Sequence, residues 1–296
     1  ATGAAGQNLW PRTAAEISAS VTPTSYSYPP GDVRRYGATG DGTTDDLAAL
    51  QRAWSALAAA GGGRLVFDHN KVYKITSVAF GSLFDCDGLK GVTVEGNGSQ
   101  LSMGTFTATA NVFFARNVTG LTVRNLRTIA TTTGQLTSAT KGYRFCYATN
   151  ASQIELDGCE FQVALGGLMC SGNYAGLTSS QGPVTNVVVL NAYAFETYYP
   201  FNFQAAGDNV FIKARTIKCG RAYFPWNVRD HEVHIYSEHG GPFDDVLLKC
   251  YCDSRHGYNK LENIKVRYST SGRHASAEAQ GTLQSLIAID VQQYDA

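Results

Sequence analysis

Residues 32–67 constrain the fold more tightly than any other part of this 296-residue chain: Asp32-Val-Arg-Arg-Tyr-Gly-Ala-Thr-Gly-Asp-Gly-Thr-Thr-Asp-Asp-Leu-Ala-Ala-Leu-Gln51, and after the helix Gly61-Gly62-Gly63-Arg64-Leu-Val-Phe67. The run reads as strand, tight glycine turn, capped helix, glycine stop and strand. Asp41-Gly42 is a turn pair, because Gly tolerates positive φ and Asp bonds its own backbone. Thr44 or Asp45 stands where a cap satisfies the orphan amides of the first helical turn. Leu47, Leu50, Trp54 and Leu57 recur at three and four residues, one face of a 3.6-residue period. Gly61–Gly63 supplies a left-handed stop, and Arg64–Phe67 begins a strand.

After this unit the pattern changes to short apolar alternations that mostly follow Gly, Asn or Asp. They begin at Val92, Leu121, Ile154, Val187, Val210, Val233, Ile264 and Ile287, at intervals of 29, 33, 33, 23, 23, 31 and 23 residues, with Val246 out of phase. A recurring period stretched by insertions marks a solenoid, in which each unit buries its apolar face only against its neighbours. A β-sandwich places strands every 8–12 residues and joins neighbours by hairpin turns, and neither feature is present. The pattern therefore predicts a parallel coil.

The segment Val33–Phe67 resembles the opening of the pectate-lyase-like superfamily, in which a hydrophobic residue, (Phe/Tyr)-Gly-Ala-x-Gly-Asp-Gly-x-x-Asp-Asp, a helix and a Gly-Gly-Gly strand start form the N-terminal cap. Thr13-Ala-Ala-Glu-Ile17 and Val21–Gly31 resemble the lead-in of phage and prophage tailspike or tail-fibre proteins. The resemblance implies an all-β fold, a right-handed single-stranded parallel β-helix over residues 32–296, with an N-terminal α-helical cap at about 45–60. Residues 1–31 read as a lead-in or linker, and Thr13-x-x-Glu16 there can form a capping box for a short helix. The resemblance also implies a homotrimer and a tail partner reached through the N-terminal segment. The rival reading of Gly37-x-x-Gly40-x-Gly42 as a nucleotide-binding turn requires further alternating helices or Gly-Lys-Ser/Thr, and the chain has neither.

Composition narrows the functional classes. Twenty-four basic residues against 24 acidic ones give no overall attraction to nucleic acid. No apolar run approaches the roughly 20 residues of a membrane span. Residues 1–31 lack the regions of a secretory signal, so synthesis in a cytoplasm is expected. The 7 Cys show no Cys-x-x-Cys pair and no regular ladder, and reduced thiols are expected. No metal centre and no cofactor is expected.

The candidate site follows from alternation on stacked coils. With Val210, Val233 and Ile264 inward at equivalent positions, one outer column reads Phe211/His234/Lys265 and its neighbour Lys213/Tyr236/Arg267. Aromatic faces stack on sugar rings, while Lys and Arg hold carboxylates, so Phe211, Trp226, His234, Tyr236, Lys265 and Arg267 are the expected glycan-binding residues. The dense aromatics from Tyr193 to Trp226 exceed what an aliphatic coil interior takes, so part of them is expected at the surface. Cleavage of a glycosidic bond needs two carboxylates flanking it. Glu232, Asp244, Glu238 and Asp230 are the candidates, in an acidic group that includes Asp245 and is interleaved with His231, His234 and His239.

Polygalacturonase-type motifs do not transfer. Glu238-His239-Gly240 precedes Asp244-Asp245, Asn263-Ile-Lys265 lacks the Arg, and no clustered Asp set matches the calcium site of pectate lyases. The expected function is that of a phage tailspike-like protein that binds a bacterial surface polysaccharide and depolymerises it by hydrolysis or elimination. It would act extracellularly at the host surface as part of a virion tail. The alternatives are a non-enzymatic receptor-binding or structural tail protein and a free microbial polysaccharide lyase or hydrolase.

Overall fold

The computed structural model describes residues 10–78, 81–106, 109–131, 142–172, 182–204, 207–220, 222–226, 228–238, 248–253, 262–271 and 287–292. Among these, every strand pairing is parallel, in a 13-stranded and an 8-stranded sheet. Three faces can be followed along the chain. The first stacks Gly63–Val66, Lys90–Glu95, Thr119–Arg124, Ala151–Asp157, Val184–Phe195, Asp208–Ile217, Arg229–Glu238 and Glu262–Ser271. The second stacks Asp41–Asp45, Val72–Val78, Gln100–Phe106, Arg127–Ala130 and Glu160–Gln162, and then merges into the long strand Val184–Phe195. The third runs from Gly81–Asp85 through Ala110–Arg116, Tyr143–Thr149, Gly166–Ser171, Tyr199–Gln204, Tyr223–Trp226 and Leu248–Asp253 to Ile287–Gln292. Parallel strands joined by successive crossovers of one hand make a right-handed parallel β-helix.

Six successive first-face strands carry a residue at positive φ near their start. Gly91, Gly120, Gln153, Asn186, Asn209 and Asp230 occupy the same place on successive coils, with φ between 56° and 83°. The following residues Val92, Leu121, Ile154, Val187 and Val210 pair in strict register. The expected repeat is therefore exact over these five coils. Beyond them two expectations change. Val210 pairs with His231 rather than Val233, and Ile287 lies on the third face opposite Leu248. Val246 lies outside the described residues.

The cap differs from its expected form at one place. Val33–Tyr36 is a 3-10 turn closed by Gly37, and the strand comes after the glycine turn, at Asp41–Asp45. The helix α2, Leu47–Ala59, has Asp46 at its N-cap, but the amide of Leu47 donates to Asp45 at 3.1 Å. Asp46 turns away to accept from the Thr39 and Gly40 amides at 2.7 and 3.1 Å. At the other end Gly61 N–H bonds Ala58 O and Gly62 N–H bonds Leu57 O, the paired bonds of a Schellman stop. A Cβ on Gly62 would sit 1.9 Å from Lys90 O, so both φ and space require glycine there.

Leu50, Trp54 and Leu57 of α2 are buried and close the open end of the coil. Trp54 donates to Asp85 O at 2.7 Å and starts an interior aromatic stack through Phe84, Phe113, Phe145, Phe161 and Phe201, with ring centroids 4.9, 5.2, 5.5, 5.7 and 5.9 Å apart. Phe203 and Tyr223 are interior as well. The coil interior is thus aromatic along one side, contrary to the expected aliphatic filling. Each such contact adds about 0.5–1.5 kcal/mol beyond area burial. Cys86, Cys146, Cys159, Cys170 and Cys219 are buried free thiols, and burial pushes their pKa values up.

The lead-in packs on the cap through one buried ion pair. Thr13 and Glu16 of the short helix α1, Ala14–Ser18, exchange capping bonds at 3.1 and 2.8 Å. Glu16 is fully buried and also accepts from Arg35 Nε and Nη2 at 2.6 and 2.9 Å and from the Tyr36 hydroxyl at 2.9 Å. Arg35 spends its remaining donors on Trp10 O, Tyr28 O and Pro11 O. Burial opposes ionisation of Glu16, but these hydrogen bonds outweigh it and lower its pKa to about 2.

Two outcomes follow. Glu16→Ala leaves the Arg35 charge buried without its counter-ion, which should cost about 3–5 kcal/mol in urea unfolding, whereas a loss under about 1 kcal/mol would show that the pair is not a structural tie. His231 sits inward at 1% exposure, and desolvation lowers its pKa from 6.5 to about 4. The fold keeps the imidazole neutral while the unfolded chain takes up a proton near pH 6.5. Its stabilisation is therefore complete above that value and disappears as pH falls toward 4, a loss of roughly 3 kcal/mol. His231→Leu should flatten stability over this interval, measured as the urea midpoint at pH 7 and pH 4.5.

Candidate functional site

The strands Asp208–Ile217, Arg229–Glu238 and Glu262–Ser271 bring the candidate residues of the acidic and aromatic sequence cluster into adjacent columns, in a corrected register. Phe211 stands opposite Glu232, and Glu232 opposite Lys265. Lys213, His234 and Arg267 form the next column, followed by Arg215, Tyr236 and Ser269. The expected columns Phe211/His234/Lys265 and Lys213/Tyr236/Arg267 were displaced by two residues on the middle coil. The physical reason is that a histidine takes an inward place in an aliphatic ladder, so the apolar pair Val233 and Ile235 is not the homologue of Val210 and Ile212. A shift of two keeps the alternation, so the same side chains still face outward.

His231 itself is removed from the surface cluster. It is held by the Tyr223 hydroxyl on Nδ1 at 2.6 Å, by Gly207 O on Nε2, and edge-on by the Phe203 ring at 4.9 Å. Asp230 is exposed, lies 3.6 Å from Arg229 Nε and occupies the positive-φ place near the start of these six first-face strands. That position explains its residue type without any chemistry, since Asp tolerates left-handed backbone.

Glu232 is engaged by a side chain of its own strand and by one of the next coil. Its Oε1 accepts from His234 Nε2 at 2.8 Å and from Lys265 Nζ at 3.4 Å. The His234 hydrogen bond and the Lys265 charge hold its pKa below the usual carboxylate value. It therefore stays ionised in the neutral range and suits a base, nucleophile or cation-holding role rather than a general acid. The Phe211 ring lies 5.7 Å from the His234 ring, and Arg215 lies 5.7 Å from the exposed Tyr236 ring. Glu238 stands opposite Ile217 and Ser271, and Trp226 opposite Gln204 and Tyr251. Asp244, Asp245 and His239 lie outside the described residues.

A second outward strip, on the third face, was not anticipated. One column there reads Ser82, Asn111, Arg144, Gly166 and Tyr199, and its neighbour reads Asp85, Phe114, Tyr147, Met169, Asn202 and Phe224. The Phe114 and Tyr147 rings are 5.6 Å apart, with Arg116 5.2 Å from the first and Arg144 5.2 Å from the second. Arg116 pairs with Asp87, but no carboxylate pairs with Arg144 among the described residues. Asn111 Oδ1 and Asn202 Oδ1 are buried with no hydrogen-bond partner. Strict alternation misreads this face, because Phe145 and Cys146 are consecutive and both fully buried. Among the described residues no group of three or more His, Cys, Asp and Glu is placed to hold a metal ion, and no helix is long and apolar enough to cross a membrane.

No family model and no curated protein matches the chain. Among solved structures it is similar to the A-module of mannuronan C-5 epimerase AlgE4 from Azotobacter vinelandii, at 12% identity and TM-score 0.41 over 87% of this chain and 80% of that one. It is also similar to PfbA, a surface adhesin of Streptococcus pneumoniae, at 13% identity and TM-score 0.39 over 88% and 82% of the two chains. The phiAB6 tailspike, solved in complex with three-repeated oligosaccharides of Acinetobacter baumannii surface polysaccharide, gives 15% identity and TM-score 0.39 over 86% of this chain and 48% of that one. The parallel strand pairing described above, rather than these likenesses, establishes the architecture.

The register itself is testable. Phe211→Cys paired with Glu232→Cys puts two thiols on facing positions about 5 Å apart, within disulfide reach. Mild oxidation should cross-link that pair and leave Phe211→Cys with His234→Cys reduced, because two residues of offset carry the Cα atoms beyond about 7 Å. The opposite pattern would restore the displaced register.

Proposed function

We propose that this chain recognises and depolymerises a bacterial surface polysaccharide as a tailspike-like component of a phage tail. The observation that carries the reading is the contiguous outer stripe in which an aromatic ring, a carboxylate, an imidazole and an ammonium from three successive coils touch one another. Phe211 offers a sugar-stacking face, Lys265 and Arg267 stand at positions that can hold substrate anions or hydroxyls, and Glu232 is the ionised member of the catalytic pair. Its proton-donating partner is assigned to Asp244 or Glu238, with Asp230 the weaker choice because its backbone conformation already accounts for it. Trp226 and Tyr236 extend the binding surface. The setting in a homotrimeric tail, with the lead-in as the attachment side, rests on the likeness of residues 13–31 to tailspike lead-ins.

Binding without cleavage is the second reading. It is favoured by the engagement of Glu232 Oε1 with both His234 and Lys265, an arrangement that an adhesin can use as a fixed polar patch.

The test incubates the protein with capsular and O-antigen polysaccharides and follows chain length, reducing ends and the absorbance of unsaturated uronic products. Shortening of at least one polymer is expected, and Glu232→Gln should slow it by 100-fold or more, the scale of a lost acid-base group. Binding with no shortening of any polymer supports the adhesin, and shortening that Glu232→Gln and Asp244→Asn both leave intact removes the site assignment.

A further inference from the structure

Among the described residues Arg144 has no ion-pair partner, whereas four other strand arginines are paired. Arg116 pairs with Asp87, Arg124 with Glu95 and Glu155, Arg127 with Glu160 and Arg229 with Asp208. Arg144 is partly buried, and its guanidinium lies 5.2 Å from the Tyr147 ring. Desolvation lowers its pKa with no acid to offset the effect. A half-desolvated cation without a counter-ion is costly, and its retention calls for an account that packing alone does not give.

The neighbours are arranged as a receptor for an anion attached to a ring. Gly166 is the next residue in the Arg144 column, where a Cβ would make ordinary contact with Arg144 Cγ at 3.5 Å. Asn111, on the preceding coil of the same column, holds its Oδ1 buried and without a hydrogen-bond partner. Phe114 and Tyr147 form a two-ring platform beside the guanidinium, with an interplanar angle of 32°. Two registers further along that column, Asn202 is 1% exposed and its Oδ1 also lacks a partner. Guanidinium groups bind carboxylates bidentately, and aromatic rings stack on sugar faces.

We infer that Arg144, with Tyr147, Phe114 and Asn111, forms a subsite on the third face for a sugar bearing a carboxylate, so that the polysaccharide taken by this chain is acidic. This deepens the glycan reading above and rests on it. The guanidinium receives the carboxylate, and Tyr147 and Phe114 carry the sugar ring. The subsite is separate from the Glu232 stripe, which lies on another face of the coil.

The experiment measures binding of the full chain to hyaluronan, alginate, polygalacturonate and polysialic acid, each beside its carboxyl-reduced neutral form, and to dextran. At least one acidic polymer should bind, with tenfold or greater weakening on carboxyl reduction and the same weakening in Arg144→Gln. Arg144→Lys should recover part of the binding, and Arg127→Gln, on the second face, should leave this discrimination unchanged. Thermal midpoints serve as the second measurement. Because the cation has no ion-pair partner among the described residues, Arg144→Gln should melt no lower than the wild type, and a drop of several degrees would mark Arg144 as structural and overturn the proposal. Equal binding of acidic and reduced polymers, or of wild type and Arg144→Gln, overturns the acidic subsite while leaving glycan recognition standing. Binding to none of the polymers, acidic or neutral, overturns both.

Discussion

Parallel pairing of each coil with the next is the constraint on which everything else in this chain depends. A coil must bring its backbone back to the same place one strand spacing further on, about 4.8 Å, or the ladder of N–H and C=O bonds is lost. The chain meets that demand with left-handed corners at fixed places, Gly91, Gly120, Gln153, Asn186, Asn209 and Asp230 among them. Coils of different length are tolerated because extra residues between strands leave the register of the strands intact. The consequence for function is that residues far apart in sequence are held in straight columns at nearly fixed spacing. Such columns present repeated groups to a repeating polymer, which a small concave pocket does not do.

A solenoid built this way has an open end with exposed apolar interior and unpaired strand edges, and these invite association. Here α2 closes the first end with Trp54 against Phe84, and the aromatic stack carries that contact inward as far as Phe201. The lead-in is then fastened over the cap by Arg35, whose donors reach Glu16 and three backbone carbonyls. A guanidinium is the one side chain with enough donors in a fixed fork to tie this many segments at once. One buried pair thereby joins the segment before the cap to the segment that begins the coil.

Much of this could be read from residue order because the determinants are local. The capping pair Thr13 and Glu16, the Gly61–Gly63 stop and the face of α2 depend on neighbours within a turn or two. The coil register from Val92 to Val210 was legible because every unit repeats a left-handed residue followed by alternating apolar ones. Legibility ended at His231, where a polar residue satisfied by Tyr223 and Gly207 takes an inward place that hydrophobic alternation assigns to Val233. The third face was obscure for a related reason. Two consecutive inward residues, Phe145 and Cys146, break the period of two, and the partners that turn Arg144, Asn111 and Tyr147 into a group come from coils about 30 residues apart. The corrected columns matter chemically, since they set Glu232 rather than His234 between Phe211 and Lys265.

The central claim is that coils advance by one constant step, so distances along a column count coils. Spin labels on Arg64→Cys and Val188→Cys, and on Arg64→Cys and Glu232→Cys, span four and six strand steps of the same column. Pulsed electron resonance on the two double variants should return backbone separations of about 19 and 29 Å, a difference set by two strand spacings. Equal separations, or a shorter distance for the pair further apart in the column, would contradict the stacked-coil account.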